Sequence, residues 1–135
     1  KPINVKAKSK KSDILKRIAY IYTVKGDVAS AESNYKAIIA INPNDVETYM
    51  DLAYVKLDKK KEIADKMALL GTSAEDMKKY DELKIKKDEE VKVAVGYLEK
   101  ALTLEPSNKD ISKLLLNLYR SLDMTDKYEA LKAKG

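Results

Sequence analysis

The chain of 135 residues is 44% hydrophobic and 36% charged, with four Gly, three Pro and neither Cys, His nor Trp. That profile fits one helical domain and excludes disulfides, thiolate or imidazole metal sites and Ser-His or Cys-His nucleophiles. The net charge of +5 belongs to residues 1–11, which hold five Lys and no acid; the rest carries 22 basic and 22 acidic side chains, with Arg17 and Arg120 the only arginines. Phosphate recognition favours the bidentate Arg fork, so nucleic acid is not the expected partner. No run of 18 apolar residues occurs, so no membrane span is expected.

Residues 1–11, "KPINVKAKSKK", read as a basic N-terminal segment or connector. Leu15, Ile18, Ala19 and Tyr22 then recur at the spacing of one helix face. "KGD" ends that helix, with Gly26 for the turn and Asp27 as N-cap of the next. Ala31, Tyr35, Ile38 and Ile39 mark the second helix, and Pro43 stops it. The first unit is a helical hairpin over 12–45.

The phrase "KAIIAINPND" returns as "KALTLEPSNKD", with Pro43 and Pro106 63 residues apart. Counting again from Val46, Tyr49 and Leu52-Ala53 match Leu15 and Ile18-Ala19. Lys56 stands where Tyr22 stood, and Ala94, Leu98, Ala101 and Pro106 arrive late. Ala19 and Ala31 are 12 apart but Ala53 and Ala94 are 41 apart, so the second unit, 46–108, holds about 29 inserted residues near 58–86.

The insert is rich in helix formers and its single Gly lies in "LLGTSAED". That reads as a helix stop and restart. Gly71 is expected in the left-handed conformation, Thr72 or Ser73 as N-cap, and Glu75 or Asp76 to complete a capping box. The predicted helices run 45–70 and 74–104, each lengthened by about four turns, roughly 22 Å. The expected seam of this arm is Ile63, Ala64, Met67 and Leu70 against Met77, Tyr80, Leu83 and Val91. A third unit, 109–135, carries Leu115-Leu116 and Tyr119 in the first-helix places, and Tyr128 where alanine is expected.

The spaced marks Leu15, Ile18-Ala19, Tyr22, Ala31, Tyr35, Ile38 and Pro43 resemble the tetratricopeptide repeat (TPR), over about residues 12–134. Ile38 departs from the alanine of that pattern and implies a wider contact. The wording "LGTSAEDMKKYDELK", "YLEKAL" and "LLNLYRSLDMTDKYEALKAK" resembles bacterial TPR proteins, apparently exported to the cell envelope, that carry such an insert near the C-terminus. By that resemblance the chain is a C-terminal piece and its compartment the envelope or periplasm, with the cytoplasm left open. No activity comes with it. The implied fold is an all-α, short TPR-type solenoid with one hairpin extended into an arm.

The resemblance implies a concave groove lined by the first helix of each unit. The matching positions are Asp13, Lys16, Tyr20 and Thr23; Glu47, Met50 and Tyr54; and Asp110, Lys113, Asn117 and Arg120. Lys16, Tyr20, Glu47, Met50, Tyr54, Lys113, Asn117 and Arg120 are the candidate partner-binding residues, since Tyr and Arg anchor interfaces well. The competing reading packs Tyr20 and Tyr54 between helices. A Lys/Asn clamp for a carboxylate is not expected, because Tyr20 and Asp51 stand where Asn is needed.

Asp88-Glu89-Glu90 reads as a solvated face, and Met50, Met67, Met77 and Met124 as gap fillers. No catalytic, cofactor or metal residue is expected. The functional expectation is a non-catalytic module binding a protein or peptide, with self-assembly through the arm or exposed terminal helices, as a homodimer, the alternative.

Overall fold

The computed structural model describes residues 5–134, with side-chain surroundings from Lys10 onward. Six helices follow one another: α1 (Val5–Lys25), α2 (Val28–Ile41), α3 (Val46–Ala68), α4 (Ala74–Leu104), α5 (Lys109–Ser121) and α6 (Thr125–Lys134). Successive helices pack as α1 on α2, α3 on α4 and α5 on α6, while α2 covers α3 and α4 covers α5. This is an all-α solenoid of three hairpins. α1 reaches back to Val5, so 5–11 continue the first helix; the first four residues lie outside the described residues.

The alanine marks set the packing. Ala19, Ala31, Ala53, Ala94 and Ala101 are all fully buried. A side chain without a γ-carbon lets crossing helices approach closely, and a longer one there would push them apart. Ile38, the departure from the repeat pattern, is also fully buried, in a cluster with Ala19, Ala31, Tyr35, Leu52 and Val55. A second cluster joins Tyr49, Ala53, Val91, Ala94, Leu98 and Ala101 to Ile111, Leu115 and Leu118 of α5.

The first and third hairpins turn alike. Gly26 N–H donates to Thr23 O at 3.1 Å and Asp27 N–H to Tyr22 O at 2.9 Å; Asp123 donates to Arg120 O at 3.2 Å and Met124 to Tyr119 O at 2.8 Å. Gly26 has φ 80° and Asp123 φ 56°. Aspartate is one of the few side-chain-bearing residues that tolerate this region. Asp27 caps α2 by accepting from Ser30 N–H at 3.2 Å.

The arm turns differently, which corrects the expectation for Gly71. Gly71 is not left-handed. α3 closes with a tightened turn in which Leu69 N–H donates to Lys66 O and Leu70 N–H to Met67 O, both at 3.2 Å. Five residues separate α3 from α4, so no single residue must reverse the chain. Gly71 has another role: its N–H donates to Asp76 Oδ2 at 2.8 Å, and a Cβ there would lie 3.0 Å from that oxygen, so a larger residue would make the Asp76 side chain give way slightly. Ser73 is the N-cap, accepting from Asp76 N–H at 3.1 Å. Asp76 thus reaches back to Gly71 rather than closing a capping box on Ser73.

The arm seam is thinner than its pattern suggests. Met67 and Val91 are buried, and Ile63, Ala64, Leu70 and Leu83 are half-buried. Met77 and Tyr80 are exposed instead of seated in the seam. They lie in the first two turns of α4, on the side turned away from the seam that buries Met67.

Candidate functional site

Lys16, Asp45, Glu47 and Asp51 form a charged cluster on the first-helix side of the solenoid. The N-cap of α3 sets its geometry. Asp45 accepts from Thr48 N–H at 3.3 Å with one oxygen and meets Lys16 Nζ at 2.9 Å with the other. Glu47, in the first turn of α3, lies 3.7 Å from the same Lys16 Nζ. Burial alone would depress the Lys16 ammonium, but the hydrogen bond and charge of Asp45, then Glu47 and Asp13, raise its pKa. Asp51 sits one turn further along. Burial, then the Glu47 carboxylate, pushes it up to about 6 against the pull of Lys16.

Of the eight candidate residues, the structure brings Lys16 and Glu47 together. Tyr20 and Tyr54 occupy equivalent places on α1 and α3 and are 66% and 47% exposed, so neither is core packing. Met50 is half-buried against the second cluster. Lys113 and Asn117 are exposed on α5. Arg120 is engaged within the chain: it donates to the Tyr128 hydroxyl at 2.7 Å, with its guanidinium 5.2 Å from the Tyr128 ring centre. That contact holds the Tyr128 hydroxyl below its usual pKa and ties α6 to α5. Next to it, Tyr119 donates to Glu99 at 3.0 Å, which also meets Lys127 at 3.0 Å.

A second charged group escaped the sequence reading. Lys56, the departure from tyrosine in the second unit, bridges three helices. Its Nζ lies 3.2 Å from Glu32 of α2 and 3.4 Å from Glu90 of α4. Glu90 was expected on a solvated face; its side chain is 22% exposed, and its buried Oε2 meets Lys56 as an ion pair without a well-aligned hydrogen bond. Burial would raise Glu32, but Lys56 and then Lys36 bring it below its usual value. The only sequence signal was Lys56 itself, a cation in an otherwise aromatic place. Beyond it, where α3 leaves the first hairpin, a notch is lined by Thr23, Gly26, Val28, Val55, Asp58 and Glu62.

Among the described residues, no group of three or more Asp or Glu side chains is arranged to hold a metal ion. None of the described helices is long and apolar enough to cross a membrane.

No protein-family model matches the chain, and no curated protein sequence matches it. Among solved structures, a human IFIT1 dimer with m7Gppp-AAAA is similar at 17% identity and a TM-score of 0.63, over 91% of this chain and 25% of that one. The fold is TPR-like. The chain spans a quarter of the length of that IFIT1 chain, and at this identity the likeness concerns fold alone. A crystal structure of MamA protein is 25% identical over 93% of this chain and 72% of that one, with a TM-score of 0.36 that adds nothing to the fold argument.

Proposed function

We propose that this chain is a non-catalytic interaction module that binds a peptide or protein surface across the first-helix face of α1, α3 and α5. The observation that carries this reading is the pair Tyr20 and Tyr54, left 66% and 47% exposed at equivalent repeat positions beside the Lys16–Asp45–Glu47 cluster. Tyrosine offers a large amphipathic contact with few rotamers to freeze. Lys113 and Asn117 extend the face onto α5. Lys16 is already paired with two carboxylates, and Asp51 adds a third acidic group, so the centre of the face suits a cationic or hydrogen-bonding ligand better than an anionic one. A carboxylate or nucleic-acid ligand fits it poorly.

Peptides selected from a random library on the native chain test this. Tyr54→Ala should weaken their binding by at least ~2 kcal/mol while thermal stability stays near that of the parent. Peptides that bind Tyr54→Ala and Tyr20→Ala as well as the parent would contradict the reading.

A second reading, self-assembly through the arm, is favoured by Leu69, 87% exposed at the tip, with Met77 and Ile85 also exposed on the arm. Deleting residues 58–86 with Glu89→Gly recreates the spacing of the first hairpin, placing Gly where Gly26 stands and Glu90 where Asp27 stands. A parent dimer and a monomeric deletion variant in sedimentation would support arm-mediated pairing. Two monomers would exclude it.

A further inference from the structure

α1, α3 and α5 hold the same place in successive hairpins, so each residue of one has counterparts in the others. Ala19 matches Ala53 and, across the longer second unit, Leu116. Two such positions face the preceding hairpin. Ile14, Thr48 and Ile111 share one; Ile21, Val55 and Leu118 share the other. On α3 and α5 all four are buried. Val55 packs with Ala31, Tyr35 and Ile38 of α2. Ile111 and Leu118 pack in the cluster that holds Leu98 and Ala101 of α4. On α1 the counterparts Ile14 and Ile21 are 50% and 51% exposed; among the described residues only α2 comes close to α1 along its backbone, and α3 meets α1 through side chains such as Lys16 and Glu47.

Lys10, Ile14, Arg17, Ile21 and Val24 recur along α1 at alternating steps of four and three, one continuous helix stripe that Lys25 completes. All six are exposed. Aliphatic side chains therefore alternate with three cations, and Asp13 at the edge is the nearest acid on α1. That chemistry decides between occupants. A second copy paired through this stripe about a two-fold axis would set cation against cation: Arg17 against Arg17 in an antiparallel pair, every cation against itself in a parallel one. A head-to-tail copy fares no better. α6 would be the covering helix, and it carries Lys132 where α2 and α4 bury Tyr35 and Leu98. Neither occupant matches both the apolar residues and the charge.

We propose that this face of α1 receives an amphipathic helix of a partner protein, apolar along its contact stripe and flanked by carboxylates. It seats on α1 as α2 seats on α3. The internal precedent shows the chemistry: α2 covers Val55 with apolar side chains while its Glu32 meets Lys56 of α3 at 3.2 Å. This surface borders the tyrosine face at Tyr20, one turn from Arg17 and Val24, whereas Tyr54 on α3 lies off it.

Two fluorescein-labelled synthetic helices test the proposal. Both carry the same leucine stripe; one has glutamates on its polar face and the other lysines. In anisotropy titrations the glutamate peptide should bind at least tenfold more tightly. The double variant Ile14→Gln and Ile21→Gln, which alters only exposed side chains, should lose at least tenfold while melting like the parent. Arg17→Glu should shift the preference towards the lysine peptide, and Tyr54→Ala should leave binding unchanged. Equal binding of the two peptides, or full binding by the double variant, would overturn the proposal. So would a concentration-dependent dimer that the double variant dissolves, which would assign the face to a second copy, or tighter binding of a polyuridine strand than of the glutamate peptide.

Discussion

The two halves of α3 are one continuous helix with different surroundings. From Val46 to Lys56 it lies between α2 and α4, and Thr48, Tyr49, Leu52, Ala53 and Val55 are buried. From Leu57 to Ala68 α4 is its main neighbour, and Met67 is the only buried residue of that half. The same contrast divides α4: Val91, Ala94, Val95, Leu98 and Ala101 are buried, whereas Met77, Tyr80 and Ile85 near its start are exposed. Stability in this fold comes from layers that cover both sides of a helix, not from helix length. A two-helix seam leaves each helix wet over most of its circumference, so the arm adds many residues and little core.

The largest difference between the regions should appear on enlarging a small residue. Ala31→Leu in the base overpacks a fully buried crossing and should cost about 1–3 kcal/mol, whereas Ala64→Leu in the half-buried seam should cost less than about 0.5 kcal/mol. Paired thermal melts read this directly, and equal melting temperatures for the two variants would break the comparison.

Where base and arm meet, Lys56 is the shared cation. Its side chain is 13% exposed and those of Glu32 and Glu90 only slightly more. Lys56→Ala leaves two part-buried carboxylates short of a partner and should cost about 2 kcal/mol at pH 7. Glu32 titrates below its usual value in the fold, so the stability that it contributes is present above about pH 4.5 and is lost as pH falls further. The gap between parent and variant, measured by denaturant unfolding, should therefore narrow below pH 4.5. A gap independent of pH would assign the effect to packing of the lysine stem alone.

A smaller effect belongs to Asp51, inside the base. Burial and Glu47 raise its folded pKa to about 6, so its contribution favours the fold below its ordinary value near 3.8 and is lost as pH rises through 6. Asp51→Asn should gain about 1 kcal/mol at pH 7, allowing for partial screening by solvent, and nothing at pH 4. Stability curves at the two pH values check it; a loss at pH 7 would show that the carboxylate serves Lys16 more than burial harms it.

Much of this architecture was legible in the sequence because it is written in short-range marks. Alanines 12 apart, Pro43 and Pro106, and the caps Asp27 and Ser73 fix helix ends and crossings within a few residues of themselves. The surplus of 29 residues between Ala53 and Ala94 gave the arm the same way. What stayed hidden depends on partners distant in sequence. Glu90 looks like part of an acidic run until α2 brings Glu32 and α3 brings Lys56 beside it. Gly71 looks like a left-handed stop until Asp76 is seen to approach its amide, while Asp123 takes a left-handed place with no glycine to announce it. Arg120 looked free for a ligand, and Tyr128, the departure from alanine, occupies it. The apolar stripe on α1 reads as ordinary amphipathic helix until its counterparts on α3 and α5 are found buried.

The contrast between base and arm is tested most directly by native-state hydrogen exchange, residue by residue along α3 and α4. Amides of Leu52 to Val55 and Ala94 to Leu98 should exchange only through global unfolding. Those of Glu62 to Ala68 and Lys78 to Ile85 should open locally, at least 100-fold more often, about 2.7 kcal/mol below the global value. Uniform protection along both helices would mean that the arm unfolds only with the base, and would contradict the account.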